Sequence, residues 1–145
     1  MRAVIDTNVL ISGFISRESY PAKLVDGWVE KRFEPVVSEE IIREYREVFA
    51  RDRFSALGSV EERLKLLGTL LSFEHVVLVL VNPRERICVV KDDPGDDIFL
   101  ECAAAGECEF IISGDQHLLK LKQYKNIKVI TAKEFIELLK ASEEK

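Results

Sequence analysis

The stretch that decides the fold is "RAVIDTNVLIS", residues 2–12. Ala3, Val4 and Ile5 read as a strand, which stops abruptly at Asp6. Thr7 and Asn8 favour helix starts, and a second apolar run follows them. Asp6 therefore stands at a strand-to-helix junction, where a carboxylate is either a helix cap or a group placed for chemistry.

The rest of the chain repeats this alternation. "YPAKLVDGWVEKRF" places Ala22, Val25, Trp28 and Val29 at helical spacing, and "EPVVS" is a short strand whose Ser38 can cap the next helix. The cap signature continues into "SEEIIREYREVFARDRF", where Ile41, Ile42, Tyr45, Val48 and Phe49 recur at three and four. "VEERLKLLGTLLSF" repeats the pattern through Val60, Leu64, Leu67 and Leu71, and "HVVLVLV" switches to a β-branched run. "DDPGDD" is turn chemistry; after it come a helix at "IFLECAAAG", a strand at "EFIIS" and a short helix at "GDQHLLKL". A strand at "IKVI" and a threonine-capped helix at "TAKEFIELLK" close the chain. Strands alternating with helices predict parallel βαβ units and a covered central sheet.

Composition agrees with one domain over residues 1–145. Of these residues 47% are apolar and 32% charged, the balance of a globular chain. No apolar run approaches the ~20 residues of a membrane span, and no basic-then-apolar leader opens the sequence, so the expected location is cytoplasmic. Cys88, Cys102 and Cys108 lack the nearby histidines that zinc would want and read as core thiols. The net charge of −5 argues at first against a nucleic-acid partner.

In open α/β sheets ligands bind outside the carboxyl ends of the strands. Asp6 ends the first strand, Asp115 follows "EFIIS", and Asp96 and Asp97 open the helix before it. Singly, each is better explained as a helix cap, worth roughly 0.3 to 1 kcal/mol with the helix N-terminus. Glu44 changes the balance. At about 100° per residue it lies about 90° from the centre of its helix's apolar arc, leaning over the edge of the core, while Glu39, Glu40 and Glu47 fall toward solvent. Asp6, Glu44, Asp97 and Asp115 in one cleft would repel one another, and a hard cation such as Mg²⁺ or Mn²⁺ would resolve that.

"VIDTNVLIS" (4–12), "VVSEEIIREYREVF" (36–49), "DDPGDDIFLECAAAG" (92–106) and "FIISGDQHLL" (110–119) together resemble the ordered acidic motifs of the PIN domain, in its toxin-antitoxin toxin branch. The resemblance spans nearly the whole chain. It implies a three-layer α/β/α sandwich with a central parallel sheet and divalent-metal-dependent cleavage of single-stranded RNA. Residue by residue, it makes Asp6, Glu44, Asp97 and Asp115 the catalytic and metal-holding acids, with Asn8, Asp96 and Ser113 in support. Asp97 is preferred to its neighbour because the apolar and small residues that follow it fit the family's helix; Asp93 is turn chemistry. A small antitoxin and a homodimer are the implied partners.

Two divalent ions would bring the formal charge from −5 to −1, and Arg17, Lys23, Lys31, Arg43 and Arg46 are candidates for a basic rim around an acidic floor. Two rivals carry different chemistry. A magnesium-dependent phosphatase or receiver-like domain also ends a strand in aspartate, but "DTN" lacks the second acid a phosphatase would want. A non-catalytic RNA-binding or partner-held module would retain the fold without turnover.

Overall fold

The computed structural model describes residues 1–81 and 97–144. Its elements are β1 (Arg2–Ile5), α1 (Thr7–Ile15), α2 (Tyr20–Val29), β2 (Glu34–Ser38), α3 (Glu39–Phe49), α4 (Val60–Leu71), β3 (Val77–Val79), α5 (Asp97–Ala105), β4 (Phe110–Ile112), α6 (Gln116–Leu119), β5 (Gln123–Tyr124), β6 (Ile127–Ile130) and α7 (Ala132–Glu143). The sheet order is β3-β2-β1-β4-β6-β5. Every neighbouring pair is parallel except β5 with β6. Helix α2 packs with α1 and α7, and α3 with α4 and α5, in an α/β/α arrangement in which α1 also meets α3.

Central position explains the composition of β1. It lies between β2 and β4 under helices, so Ala3, Val4 and Ile5 are all buried and show no alternation. Residues 92–96 of the turn "DDPGDD", with Asp93 and Asp96 among them, and Cys88 lie outside the described residues. Cys102 and Cys108 are buried free thiols, which burial pushes up to about 12, as core cysteines should be.

The central strands are parallel as expected, the edge adds one detail, and two helix expectations are corrected. The sheet is mixed, because Lys122 and Lys125 adopt left-handed φ (56° and 53°) and let Gln123–Tyr124 fold back on β6 as an antiparallel edge. The helix expected through "ARDRF" ends at Phe49: buried Arg63 donates through Nη1 to the carbonyls of Phe49 and Arg51, 2.7 Å each, and the chain turns into a 3₁₀ segment, Asp52–Leu57. In α2 the buried positions are Ala22, Leu24, Gly27 and Trp28, while Val29 is exposed. The face is rotated because Trp28 anchors it, its indole donating to the Leu70 carbonyl at 2.9 Å, and Gly27 lies against Phe33.

Two contacts set the cleft. The Tyr45 hydroxyl donates to the Ile5 carbonyl at 2.5 Å, tying α3 to the end of β1 one residue before Asp6. A Cβ on Gly13 would come within 2.5 Å of Val25 Cγ2 and 2.7 Å of the Pro21 carbonyl, so only glycine lets α2 approach α1 this closely and bring Pro21 to the cleft wall.

Candidate functional site

Asp6 occupies the cap position of α1 and does not cap it: its side chain makes no cap hydrogen bond to the helix. Instead the Ser113 hydroxyl donates to Asp6 Oδ2 at 2.7 Å. The Asn8 backbone N–H also approaches the Asp6 carboxylate and favours its charged form by weak hydrogen bonding, short of the geometry of a cap bond. Ser113 is fully buried at the end of β4, and its oxygen also accepts from the Asp115 N–H at 2.9 Å. One hydroxyl thus links the two strand ends, which the parallel pairing of β1 and β4 already brings side by side.

Burial raises the Asp6 carboxyl from 3.8 to about 6, against the lowering effect of Ser113, with the charges of Glu44 and Asp115 pushing further in the same direction. The structure therefore brings Asp6, Glu44 and Asp115 into one electrostatic neighbourhood. Glu44 is half-buried, as its place on the helix wheel predicts, and the Thr7 hydroxyl donates to its Oε2. Glu39 and Glu47 are exposed as expected; Glu40 is half-buried instead, one turn of helix from Glu44 and on the same side.

Asp115 does serve as a cap, accepting from the His117 N–H at 2.7 Å through Oδ1. Asp97 is buried at the first residue of α5. The far end of that helix is pinned near the start of β1, where Arg2 Nη1 donates to the Gly106 carbonyl at 3.0 Å. Nine helical residues span roughly 13 Å, about the rise of the four residues of β1. Asp97 thus stands at the end of α5 opposite that contact. Asp96 precedes the described segment.

Asp6, Asn8, Val9, Ser12, Pro21, Gly114 and Asp115 line an open cleft of about 330 Å³. Among the described residues, no three His, Cys, Asp or Glu side chains already stand at ion-holding separation. The donor set nevertheless suits a hard cation: it offers oxygen ligands, and the proton affinity of Asp6 is raised first by burial and further by neighbouring negative charge. Of the expected rim, Arg17, Lys23, Arg43 and Arg46 are exposed. Lys31 is misplaced. α2 starts at the cleft and runs away from it, so Lys31 turns with φ 61° at the opposite end, where the Glu34 N–H meets the Met1 carbonyl.

A family model described as PIN domain matches residues 2–117. The chain belongs to the PIN-domain family. Its members are generally nucleases and generally use divalent metal ions. An uncharacterized protein of Methanocaldococcus jannaschii is 31% identical over 146 aligned positions, covering 94% of this chain and 90% of the relative. A chain of the VapBC2 complex from Rickettsia felis, solved bound to a DNA fragment from its promoter, superposes with a TM-score of 0.58 at 11% identity, covering 89% of this chain and 97% of that one. At that identity the likeness is one of fold, and it agrees with the PIN architecture. No described helix is long and apolar enough to cross a membrane.

Thr7 and Tyr45 are the site residues that sequence reasoning missed. Thr7 was legible as a helix starter and nothing more. Only the packing of α3 against the β1–α1 junction turns its hydroxyl toward Glu44.

Proposed function

We propose that this PIN domain is a divalent-metal-dependent endoribonuclease that cleaves single-stranded RNA, acting as the toxin of a toxin-antitoxin pair in the cytoplasm. The observation that carries this reading is Asp6: a buried carboxylate that makes no regular cap bond, is held by Ser113, and has its pKa raised by burial and further by the charges of Glu44 and Asp115.

Mg²⁺ or Mn²⁺ would be held by Asp6, Asp97 and Asp115, with Glu44 as the fourth acid; when bound, such an ion acidifies water and neutralises charge on phosphoryl oxygens. The chain's own residues prepare the site for it. Ser113 orients Asp6 and, through the Asp115 amide, fixes the start of α6. Thr7 holds the Glu44 carboxylate on the side of α3 that faces the β1–α1 junction. Hydrolysis with departure of the 3′ oxygen leaves 5′-phosphate and 3′-hydroxyl ends. A small antitoxin would cover the cleft, and the active form would be a homodimer.

One observation favours a non-catalytic RNA-binding or partner-held module: Asp115 Oδ1 is engaged by the His117 amide. A carboxylate has about four acceptor sites, so this bond leaves room for a ligand on the same group. Incubating the purified protein with a mixed single-stranded RNA pool in Mg²⁺, Mn²⁺ or EDTA tests the proposal. Metal-dependent fragments with 5′-phosphate ends support it; 2′,3′-cyclic phosphate ends, or cleavage unaffected by EDTA, would rule the mechanism out.

A further inference from the structure

An aromatic side chain and a cation stand together beside the cleft, and the acidic site does not use them. Tyr20 is the first residue of α2 and is 37% exposed, an unusual position for a large ring in a chain whose other aromatics mostly build the core. The Lys23 ammonium lies over its ring, 4.9 Å from the centroid. Pro21, between them in sequence, lines the cleft with Asp6 and Asp115, and the contact at Gly13 fixes the start of α2 against α1. The platform therefore adjoins Pro21 of the cleft wall, at a start of α2 that packing holds in place.

The geometry points to Tyr20 and Lys23 as a subsite for one nucleotide of a single-stranded RNA beside the cleft, the ring stacking on its base and the ammonium meeting its phosphate. This rests on the nuclease reading and names a part of its substrate contact. A cation over an exposed ring is a weak and displaceable interaction. Base stacking on an aromatic side chain is stronger and accepts any base, because every base has a flat π-face. Lys23, released from the ring, remains within its own side chain's reach of the adjoining phosphate. Stacking of this kind demands an unpaired base, so the subsite selects single strands over duplex.

The test uses a fluorescein-labelled eight-nucleotide oligouridylate and versions of it with one abasic position, bound in Mg²⁺ by a chain carrying Asp6→Asn so that RNA is not consumed. Tyr20→Ala should weaken binding of the intact oligomer about fivefold, the low end for a lost stack, and Tyr20→Phe should leave it unchanged. One abasic oligomer should bind the Tyr20 protein about fivefold more weakly and be indifferent to Tyr20→Ala. Lys23→Ala should reduce the salt slope of log K by about 0.7, one single-strand phosphate contact, where Lys140→Ala on α7 should not. With the active chain, Tyr20→Ala should raise KM and leave kcat unchanged.

Tight binding that no abasic position weakens overturns the subsite and leaves the nuclease reading standing, and this outcome needs no variant at position 20. A chain that neither binds nor cleaves RNA overturns both. Weaker binding of Tyr20→Ala to intact and abasic oligomers alike would mean that the ring only supports α2, and would also overturn the subsite.

Discussion

The β1–α1 and β6–α7 junctions are built alike and behave differently. Each is a four-residue strand followed by one polar residue and a helix. At the second, Thr131 caps α7 in full: its hydroxyl accepts from the Glu134 N–H at 3.2 Å, and the Glu134 carboxylate accepts from the Thr131 N–H at 3.2 Å. At the first, Asp6 is among the best capping residues, yet it makes no cap bond and sits buried among like charges. Local stability was available at both junctions and is taken only at one. Where sequence and structure break a local rule in this way, the compensation is sought in function.

The largest effect that could break this contrast is on activity. Asp6→Asn keeps the size of the side chain and an oxygen for Ser113, and removes only the charge. RNA cleavage should fall on the order of 10²- to 10³-fold, the scale of losing one group that manages charge in the transition state. Thr131→Ala should leave cleavage unchanged. Equal losses in the two variants, followed by gel assay at matched protein concentration, would erase the distinction.

Stability should move in the opposite sense. Asp6 titrates near 6 in the folded chain against 3.8 as its ordinary value. The folded state thus binds this proton more tightly than the unfolded one. Its stabilising contribution is fully present below about pH 4 and is lost as the pH rises through about 6, by up to about 3 kcal/mol. In EDTA, wild type should lose stability across that window more steeply than Asp6→Asn, and the variant should melt higher at pH 7. Millimolar Mn²⁺, binding only the folded state, should shrink or invert the difference. Melts at pH 4, 5, 6 and 7 with and without metal check this; superimposable pH profiles would return Asp6 to a purely structural role.

Much of this site was legible in the chain. Asp6 and Asp115 follow strands by inspection, parallel strands put strand ends at one edge, and the wheel put Glu44 on the flank of α3, where it lies. Lys31 was misjudged because nearness in sequence to a helix starting at the cleft says nothing about which end of that helix carries the residue. The burial of Arg63 depends on carbonyls supplied by residues 12 to 14 positions earlier, a long-range match that no local pattern encodes. The antiparallel β5 was missed for a similar reason, since two residues are too short for periodicity to register.

A smaller change probes the bond between the β1–α1 junction and α3. Thr7→Val preserves shape and removes the hydroxyl that donates to Glu44. Cleavage should drop about tenfold through loss of positioning, with kcat affected more than KM. Thr7→Ser should restore most of the rate. A drop that serine does not restore would assign Thr7 to packing alone.

The smallest expected effect completes the contrast at the other junction. Thr131→Ala removes the hydroxyl that accepts from the Glu134 amide and frees Glu134 from the reciprocal arrangement, while the Glu134 carboxylate can still reach the Thr131 backbone position. Loss of such a cap costs about 1 kcal/mol. α7 cannot fray without cost, because Phe135, Ile136 and Leu139 are buried and Phe135 packs edge-on against Phe33 and Phe110. The cost should therefore appear as a lower urea midpoint with an unchanged slope, because the surface exposed on unfolding is the same. It should also be the same with EDTA or Mn²⁺, since no carboxylate of the cleft is touched. A metal-dependent stability change in Thr131→Ala would mean that α7 is coupled to the acidic cleft, and the two junctions would no longer be separable into one built for stability and one built for chemistry.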